Sequence, residues 1–503
     1  MTSWPAPVDG ALGLAVDIGT SAVRAFVYDS SGFGISGVRL RYEWTTTPDG
    51  GAEIDAERIV ALVVEAMEGA LGGAGLLASR IAAVGFTGMW HTLLAVGAND
   101  VPLTPLYAWT DTRASRAAAA LRTELDEPAF HARTGTVFHP SYMPARVRWL
   151  RALMPSVAVR VARWMTIGDY VTMRLFGSPA ITISMASGSG LFDQHRLSWD
   201  APLLAALEMG PEQLPSLIDR DEPFLALRPE FASRLGPLRA TPFYGVLGDG
   251  ACANVGSGCM TSSELALSIG SSAALRVIAR VDEFTIPAGL WCYRLDRAHV
   301  VLGGALSNGG NVFAWLRDML RLPPHDELEA QLTARLPDAH ALTVLPFLAG
   351  ERSPEWPLTA RAVIAGLGLD TGPVDLLHAA MEGVSLRLAL IHGLLRAYFH
   401  GLRTIVGSGG ALRQSPAWAQ MVTDALGSPL AVTEDHETSS RGVALLALEA
   451  VGAIPNAATV PPPATSVLTP VPERTAAYSA ALTRQVALAT AISAWERETW
   501  VSQ

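Results

Sequence analysis

The sequence predicts an α/β protein made of two duplicated domains, and three observations predict it. The chain has 503 residues, more than a single hydrophobic core serves well, so two or more domains are expected. Short apolar strand patterns alternate with amphipathic helical ones, the order that gives α/β layers. One stretch also recurs. Residues 13–28 read Gly-Leu-Ala-Val-Asp-Ile-Gly-Thr-Ser-Ala-Val-Arg-Ala-Phe-Val-Tyr, and residues 265–278 read Leu-Ala-Leu-Ser-Ile-Gly-Ser-Ser-Ala-Ala-Leu-Arg-Val-Ile. Each is an apolar strand, a Gly-(Thr/Ser)-Ser turn and a second strand carrying an Arg, and the copies lie almost half the chain apart. Strand–Gly–Ser–strand hairpins are common, but an echo at that distance points to a duplicated domain rather than a short-period solenoid.

In the first half, strands are expected at Leu14–Asp17, Val23–Tyr28, Val38–Trp44 and Ile81–Phe86, where apolar runs stop at turn residues. Helices are expected at Ala56–Leu71, Ala114–Leu125, Pro144–Leu153 and Ile167–Leu175. After the second hairpin come strands near Val300–Gly303 and Val344–Phe347, then helices at Gly310–Leu320, Pro373–Phe399, Ser415–Leu426 and Ser439–Val451. The Pro-rich Val460–Pro472 reads as an extended crossing, and Glu473–Arg497 as a closing helix. The Gly- and Ser-rich stretch Gly245–Ser263 should hold the boundary, which divides the chain into domains 1–257 and 258–503.

Composition narrows the function. Half the residues are hydrophobic and 17% are charged, the balance of a packed globular chain. A net charge of -10 argues against a nucleic-acid or anionic-membrane partner. All 37 basic residues are Arg, and the chain has no Lys. That excludes a Walker-A loop, a Schiff-base or pyridoxal-phosphate site and a protein-kinase site, each of which needs its amine. Cys252, Cys259 and Cys292 form no CxxC pair, so neither a disulfide framework nor a zinc site is expected. The first ten residues lack the pattern of a signal peptide. Two uncharged stretches, Ile81–Asn99 and Ala298–Leu316, read as buried strand–loop units rather than membrane spans. A soluble cytoplasmic protein is the expectation.

The Gly-rich turns suggest the chemistry. A Gly-Thr-Ser turn exposes successive N–H groups and two hydroxyls, a cradle for phosphate that needs no lysine. Two such turns on facing domains could hold a nucleotide's β- and γ-phosphates from both sides. Asp17 precedes the first turn, where its carboxylate could hold a phosphate-bound Mg2+ through water; the second copy has Ser268 there. A third cluster, Val406-Gly-Ser-Gly-Gly-Ala411, is either a close approach to a nucleotide or an ordinary strand-to-helix turn. The match Gly32-Phe-Gly-Ile-Ser-Gly37 runs into a strand, so it reads as a hairpin turn, not a dinucleotide site. Asp249 follows an apolar strand among glycines. It is placed either as a general base beside a cleft or as a turn or helix-cap aspartate.

Taken in order, Asp17-Ile-Gly-Thr-Ser, Trp109-x-Asp111-x-Arg113, Gly248-Asp249-Gly, Gly270-Ser-Ser and Gly407-x-Gly-Gly-Ala resemble the FGGY family of carbohydrate kinases, over about residues 12–455. The resemblance implies an actin-like, ribonuclease H-type fold in each of two domains, with ATP and sugar in the cleft between them. Asp249 then resembles the catalytic base. Thr20, Ser21 and Arg24 resemble the first phosphate loop, and Gly270 and Ser271 the second. Gly310, Gly410 and Gln414 match nucleotide-contact positions, and Asp17 resembles the Mg2+-organising carboxylate. Trp90 and His91 fall where the family reads its sugar.

His139 either reaches the sugar through a neighbouring loop or is a packed loop histidine. Asp111 and Arg113 either bind hydroxyls or pair with each other. Glu351 and Arg352 read as a domain-packing pair. The segments Thr134–Pro140, Ala186–Phe192, Gly303–Gly310 and Leu348–Pro354 resemble gluconate kinases more than xylulose or glycerol kinases. D-gluconate is therefore the expected acceptor, with another ketose or polyol as the alternative, and a nucleotide-dependent sugar sensor as the alternative from another class. A gluconate site needs an Arg for the carboxylate; Arg113 and Arg146 are candidates. Departures from the family are Trp90 in place of a common Met, Ser271 in place of Thr and Ser408 in place of Gly. The expected partners are a small sugar or sugar acid, with no nucleic acid or membrane, and a homodimer is compatible with the resemblance.

Overall fold

The computed structural model describes residues 10–499 other than 436 and 464. Its first half is built on a six-stranded sheet. The spatial order is Pro223–Phe224, Phe243–Gly248, Ile81–Gly88, Leu12–Ile18, Ala22–Tyr28, Gly34–Arg41. Leu12–Ile18 lies in the middle, antiparallel to Ala22–Tyr28 and parallel to Ile81–Gly88. Every one of its residues is buried, which is why it reads as an unbroken apolar run with one carboxylate, Asp17, near its end.

The second half repeats this plan. Its strands run in the order Trp291–Arg294, His299–Leu306, Ala273–Arg280, Glu264–Ile269, Thr404–Ser408, Leu430–Thr433, Thr465–Leu468. Apart from the added edge strand Trp291–Arg294, each strand matches one of the first sheet in position and direction. A long helix joins the third strand to the fourth in both halves: Ala56–Ala74 in the first, Pro373–Tyr398 in the second. Only the outermost strand is reached differently. It precedes its neighbour along the chain in the first half and follows it in the second. The expected duplication is therefore present as two sheets of one topology.

Local sequence explains the crossover helix. Asp55 caps Ala56–Ala74 by accepting from the Glu57 amide, and Ile59, Val63, Ala66, Met67 and Ala70 recur on its buried face. The helix and the turn after it are long and apolar enough to cross a membrane. Here that face covers Ala22–Tyr28 and Gly34–Arg41, and each large aliphatic so buried contributes about 1.5–3 kcal/mol.

Three expectations shift. The third strand begins at Gly34 rather than Val38, because hairpin pairing of Tyr28 with Gly34 and Ala22 with Arg41 sets its ends. The Pro-rich crossing contains an edge strand, Thr465–Leu468, paired antiparallel with Leu430–Thr433. The boundary stretch Gly245–Ser263 is mostly ordered: the strand Phe243–Gly248 runs straight into the helix Asp249–Gly256. Its glycines serve contact between the halves. A Cβ on Gly256 would overlap the Thr438 carbonyl, and one on Gly442 would overlap the Cys252 carbonyl. The helices Asp249–Gly256 and Thr438–Ala450 thus cross with their backbones touching. Arg441, in the second half, ties the crossing to the first by donating to the carbonyls of Gly256 (2.7 Å) and Gly32 (3.1 Å).

Candidate active site

Two cavities lie along the cleft, separated by the loops Gly270–Ser272 and Ser408–Gly410. The first, about 280 Å³, is walled by both halves: Thr20, Trp90, His91, Trp109 and Asp249 from one, Arg276, Trp291, Tyr293, Arg352 and Trp356 from the other. The second, about 700 Å³, belongs to the second half and is lined by Gly270, Ser271, Gly310, Asn311, Gly410, Gln414, Phe313 and Trp418. All five sequence-derived nucleotide positions of the second half therefore surround one space.

Asp249 is the first residue of its helix and lines the smaller cavity. One carboxylate oxygen accepts from the Gly250 amide at 2.7 Å. Burial, and then the nearby charge of Asp17, push its pKa up to about 6. A half-buried carboxylate with a free oxygen and a proton affinity near neutrality suits a general base.

Asp17 is buried. Its Oδ2 accepts from Arg24 at 3.2 Å and from the Ser439 hydroxyl at 2.9 Å, while its Oδ1 is buried without a partner. Burial, opposed by Arg24, raises its pKa. A buried carboxylate oxygen with nothing to bind fits a cation. The first turn is held from outside: Tyr42 donates to the Gly19 carbonyl (2.5 Å), Trp44 to the Thr20 carbonyl (2.7 Å) and Trp109 to the Thr20 hydroxyl (3.1 Å). The backbone N–H groups of Thr20, Ser21 and Ser271 find no acceptor among the described residues. Arg24 stands behind the turn, paired with Asp17 and with Glu437 at 3.5 Å.

Trp90 forms the floor. Its indole donates to the Ser184 carbonyl at 3.0 Å and packs against Tyr293, with ring centroids 4.9 Å apart. It occupies a slot left by glycines: a Cβ on Gly248, the residue before Asp249, would overlap the indole. His91 donates Nδ1–H to the Gly188 carbonyl at 2.8 Å, leaving Nε2 toward the Tyr293 hydroxyl at 3.4 Å. Burial, then the Arg352 charge, bring its pKa down to about 3, so the ring is neutral. His139 lies one layer back. It accepts from the Ser141 amide and packs edge-on against Trp356, whose ring lines the cavity.

Among the arginines, Arg113 takes the pairing alternative, while Arg146 and Arg352 depart from the sequence reading. Arg113 pairs with Asp111 at 2.6 Å and Glu53 at 2.9 Å. Arg146 is buried against the carbonyls of Pro140, His91 and Ala108. Glu351 and Arg352 do not form a pair. Glu351 turns away to Arg387 at 2.6 Å, whereas Arg352 enters the cavity. Adjacent residues of an extended segment point to opposite sides, which composition alone does not reveal. Sequence reasoning also passed over Trp291 and Tyr293. Their two-residue spacing on an edge strand was the available signal, since it aims both rings at one face. Arg276, which donates to the Asn254 side chain (3.1 Å) and the Ser268 hydroxyl (3.0 Å), was noticed only as part of the echo.

Away from the cleft, His340, His378 and Glu382 stand close enough to hold a metal ion. However, His340 Nδ1 accepts from the Leu342 amide (2.9 Å), so its Nε2 carries the proton given to Glu382 (2.9 Å), and Tyr478 also donates to Glu382. Glu382 is thus already engaged by both, while Nδ1 of His378 is buried without a partner.

Residues 12–256 match the profile of the FGGY family of carbohydrate kinases, N-terminal domain, and residues 263–451 match that of its C-terminal domain. The chain is 30% identical to a gluconokinase of Bacillus subtilis (strain 168) over 452 residues, 88% of each protein. It is 28% identical to glycerol kinase 1 of Pseudomonas aeruginosa, over 86% of this chain and 89% of the relative. Among solved structures, a gluconate kinase from Lactobacillus acidophilus superimposes with a TM-score of 0.89 at 25% identity, covering 97% of this chain and 99% of that one. A xylulose kinase from the same organism gives 0.89 at 26% identity, covering 96% and 99%.

Proposed function

The chain belongs to the FGGY family of carbohydrate kinases, and from that premise we propose that it transfers the γ-phosphate of ATP to the primary hydroxyl of D-gluconate, with Asp249 as the base. The observation that carries the reading is the free, proton-seeking carboxylate of Asp249 in a cavity walled by both halves. The acceptor is a small sugar; gluconate is preferred because gluconokinases at 30% and 28% identity each match over 88% of the chain.

In this mechanism the acceptor lies against Trp90, and Asp249 draws the proton from its hydroxyl as that oxygen attacks the γ-phosphorus. The new O–P bond forms as the bond to the β-phosphate oxygen breaks, leaving ADP, and the proton rests on Asp249. Phosphoryl transfer depends mainly on positioning and charge neutralisation. The unengaged N–H groups of Thr20, Ser21 and Ser271 are suited to hold phosphate oxygens from both sides. Gly310, Gly410 and Gln414, with Gly270, border the space for the nucleotide. Asp17 would hold Mg2+ through its unpaired oxygen; when bound, the ion neutralises charge developing on the phosphates. His91 is neutral and fixed, so it orients the acceptor without competing for its proton. His139 acts only through Trp356. Arg24 keeps Asp17 in place rather than reaching phosphate. We place the boundary of the two domains at 257/258.

The test is ADP release with Mg·ATP and gluconate, xylulose, ribulose, glycerol or no sugar. Gluconate turnover well above the others is the expected result. Turnover with xylulose or glycerol instead would overturn the acceptor while leaving the base. Nucleotide binding without turnover on any sugar would favour a sensor.

A further inference from the structure

We propose that Arg352 is the cation that receives the carboxylate of a sugar-acid substrate in the cleft, a specificity determinant that rests on the gluconate reading above. Arg352 shares the smaller cavity with Asp249. Its guanidinium lies over the Trp109 indole, 5.0 Å from the ring centroid, and one Nη donates to the Leu306 carbonyl at 2.9 Å. Its Nε is buried and has no acceptor. Among the described residues no carboxylate comes within ion-pair distance of it: the salt bridges in this region belong to Arg24, Arg113, Arg122 and Arg387.

A guanidinium stays charged in any protein environment, and burying that charge without a counter-ion is unfavourable by several kcal/mol. Stable sites rarely keep such a charge unless something supplies the anion. The surroundings do not. His91 is neutral, with Nδ1–H given to a carbonyl. His139 is held neutral by burial and by Arg352 itself. Tyr293 and Trp356 complete the wall, and the Tyr293 hydroxyl bonds that of Tyr142 at 2.7 Å. Asp249, the acidic group of this cavity, lies beyond ion-pair distance and is needed as a base.

The other arginines of the region are committed. Arg113 and Arg24 have carboxylates, Arg146 has three carbonyls, and Arg276 has Asn254 and Ser268. Arg352 alone among these combines an unpaired buried N–H with the absence of a carboxylate. Its contact over the Trp109 ring helps hold the guanidinium in place, and a guanidinium fork can bind a carboxylate through two parallel hydrogen bonds. A neutral sugar of equal length would fit the same space and leave the charge unanswered.

The experiment compares gluconate with sorbitol, the polyol in which CH2OH replaces the carboxylate, for wild type, Arg352→Gln and Arg352→Lys. Expected for Arg352→Gln is a fall of about 100-fold in kcat/KM for gluconate. The gluconate-to-sorbitol ratio should fall at least about tenfold, with the KM for Mg·ATP within about threefold of wild type. Arg352→Lys, which keeps the charge but loses the fork, should recover part of the ratio. Should Arg352→Gln not fold, Arg352→Lys carries the test alone, with a KM for gluconate raised about tenfold against a smaller change for sorbitol. An Arg352→Gln or Arg352→Lys protein with an unchanged ratio overturns the role of Arg352 while gluconate turnover by wild type keeps the reaction. A wild type that phosphorylates neutral sugars and not gluconate overturns the reaction reading itself.

Discussion

The two hairpins that open the halves share a topology and differ in charge. In the first, Asp17 sits directly across the ladder from Arg24 and bonds it. In the second, Ser268 faces Ala274, Arg276 faces Ala266, and Arg276 reaches Ser268 only diagonally. The residue at the head of the next cleft helix differs as well. The helix after Phe243–Gly248 begins with Asp249, whereas the helix after Leu430–Thr433 begins with Thr438, and its Ser439 reaches back to Asp17. Both cleft carboxylates thus belong to the first half, and the second offers hydroxyls, glycine turns and the arginines Arg276 and Arg352. Under the proposed function, two turns flanked by four carboxylates would repel the phosphates they are proposed to hold. With these two carboxylates on the same side, Asp17 and Asp249 stand near each other, and their repulsion helps raise the proton affinity of Asp249.

The largest expected effect breaks this asymmetry at its centre. Asp249→Asn should lower kcat by about 1000-fold while nucleotide affinity, read by equilibrium dialysis, stays near wild type; an unimpaired variant refutes the base. The same group sets a pH dependence. Asp249 must be unprotonated to act, and its pKa is raised to about 6. Log kcat/KM should therefore fall one unit per pH unit below about 6, well above the range of an ordinary carboxylate. Asp17→Ser makes the first hairpin resemble the second. It should cost about 100-fold in kcat, raise the Mg2+ concentration needed, and move the acid limb down because the like charge is gone. An acid limb that stays in place would show that burial alone sets the base.

Gly256→Ala attacks the shared crossing rather than either cradle. Its Cβ meets backbone, which cannot swing aside, so denaturant unfolding should report a loss of about 2 kcal/mol. Ser271→Thr makes the second turn resemble the first, and it sharpens the comparison by its smallness. Ser271 is exposed and keeps its hydroxyl, so the KM for ATP should stay within about threefold.

Much of this was legible before the fold was known. The repeated strand–turn–strand motif announced the duplication, and apolar periodicity placed the long helices to within a few residues of Ala56–Ala74, Pro373–Tyr398 and Thr438–Ala450. Glycine and hydroxyl residues at the turns marked where N–H groups stand without acceptors among the described residues, at Thr20, Ser21 and Ser271. Other features were hidden. Gly256 and Gly442 look like flexible linker glycines, yet they permit a helix crossing. Trp291 and Tyr293 are separated from Trp90 by about 200 positions, and no local pattern pairs them.

The sequence by itself determined the duplicated strand–turn–strand unit, the place of the long helices and the residue types available to the chemistry, including the absence of any lysine. Those properties follow from short-range periodicity and from composition. Only the tertiary structure decided which charges are answered. Arg113, Arg146 and Arg352 are equivalent on paper, and the partner of each comes from a distant segment. Glu53 and Asp111 neutralise the first, backbone carbonyls surround the second, and Arg352 is left facing the cavity. Whether a charge is paired depends on what the fold brings within about 4 Å of it and how much water remains there, and neither is written in local sequence.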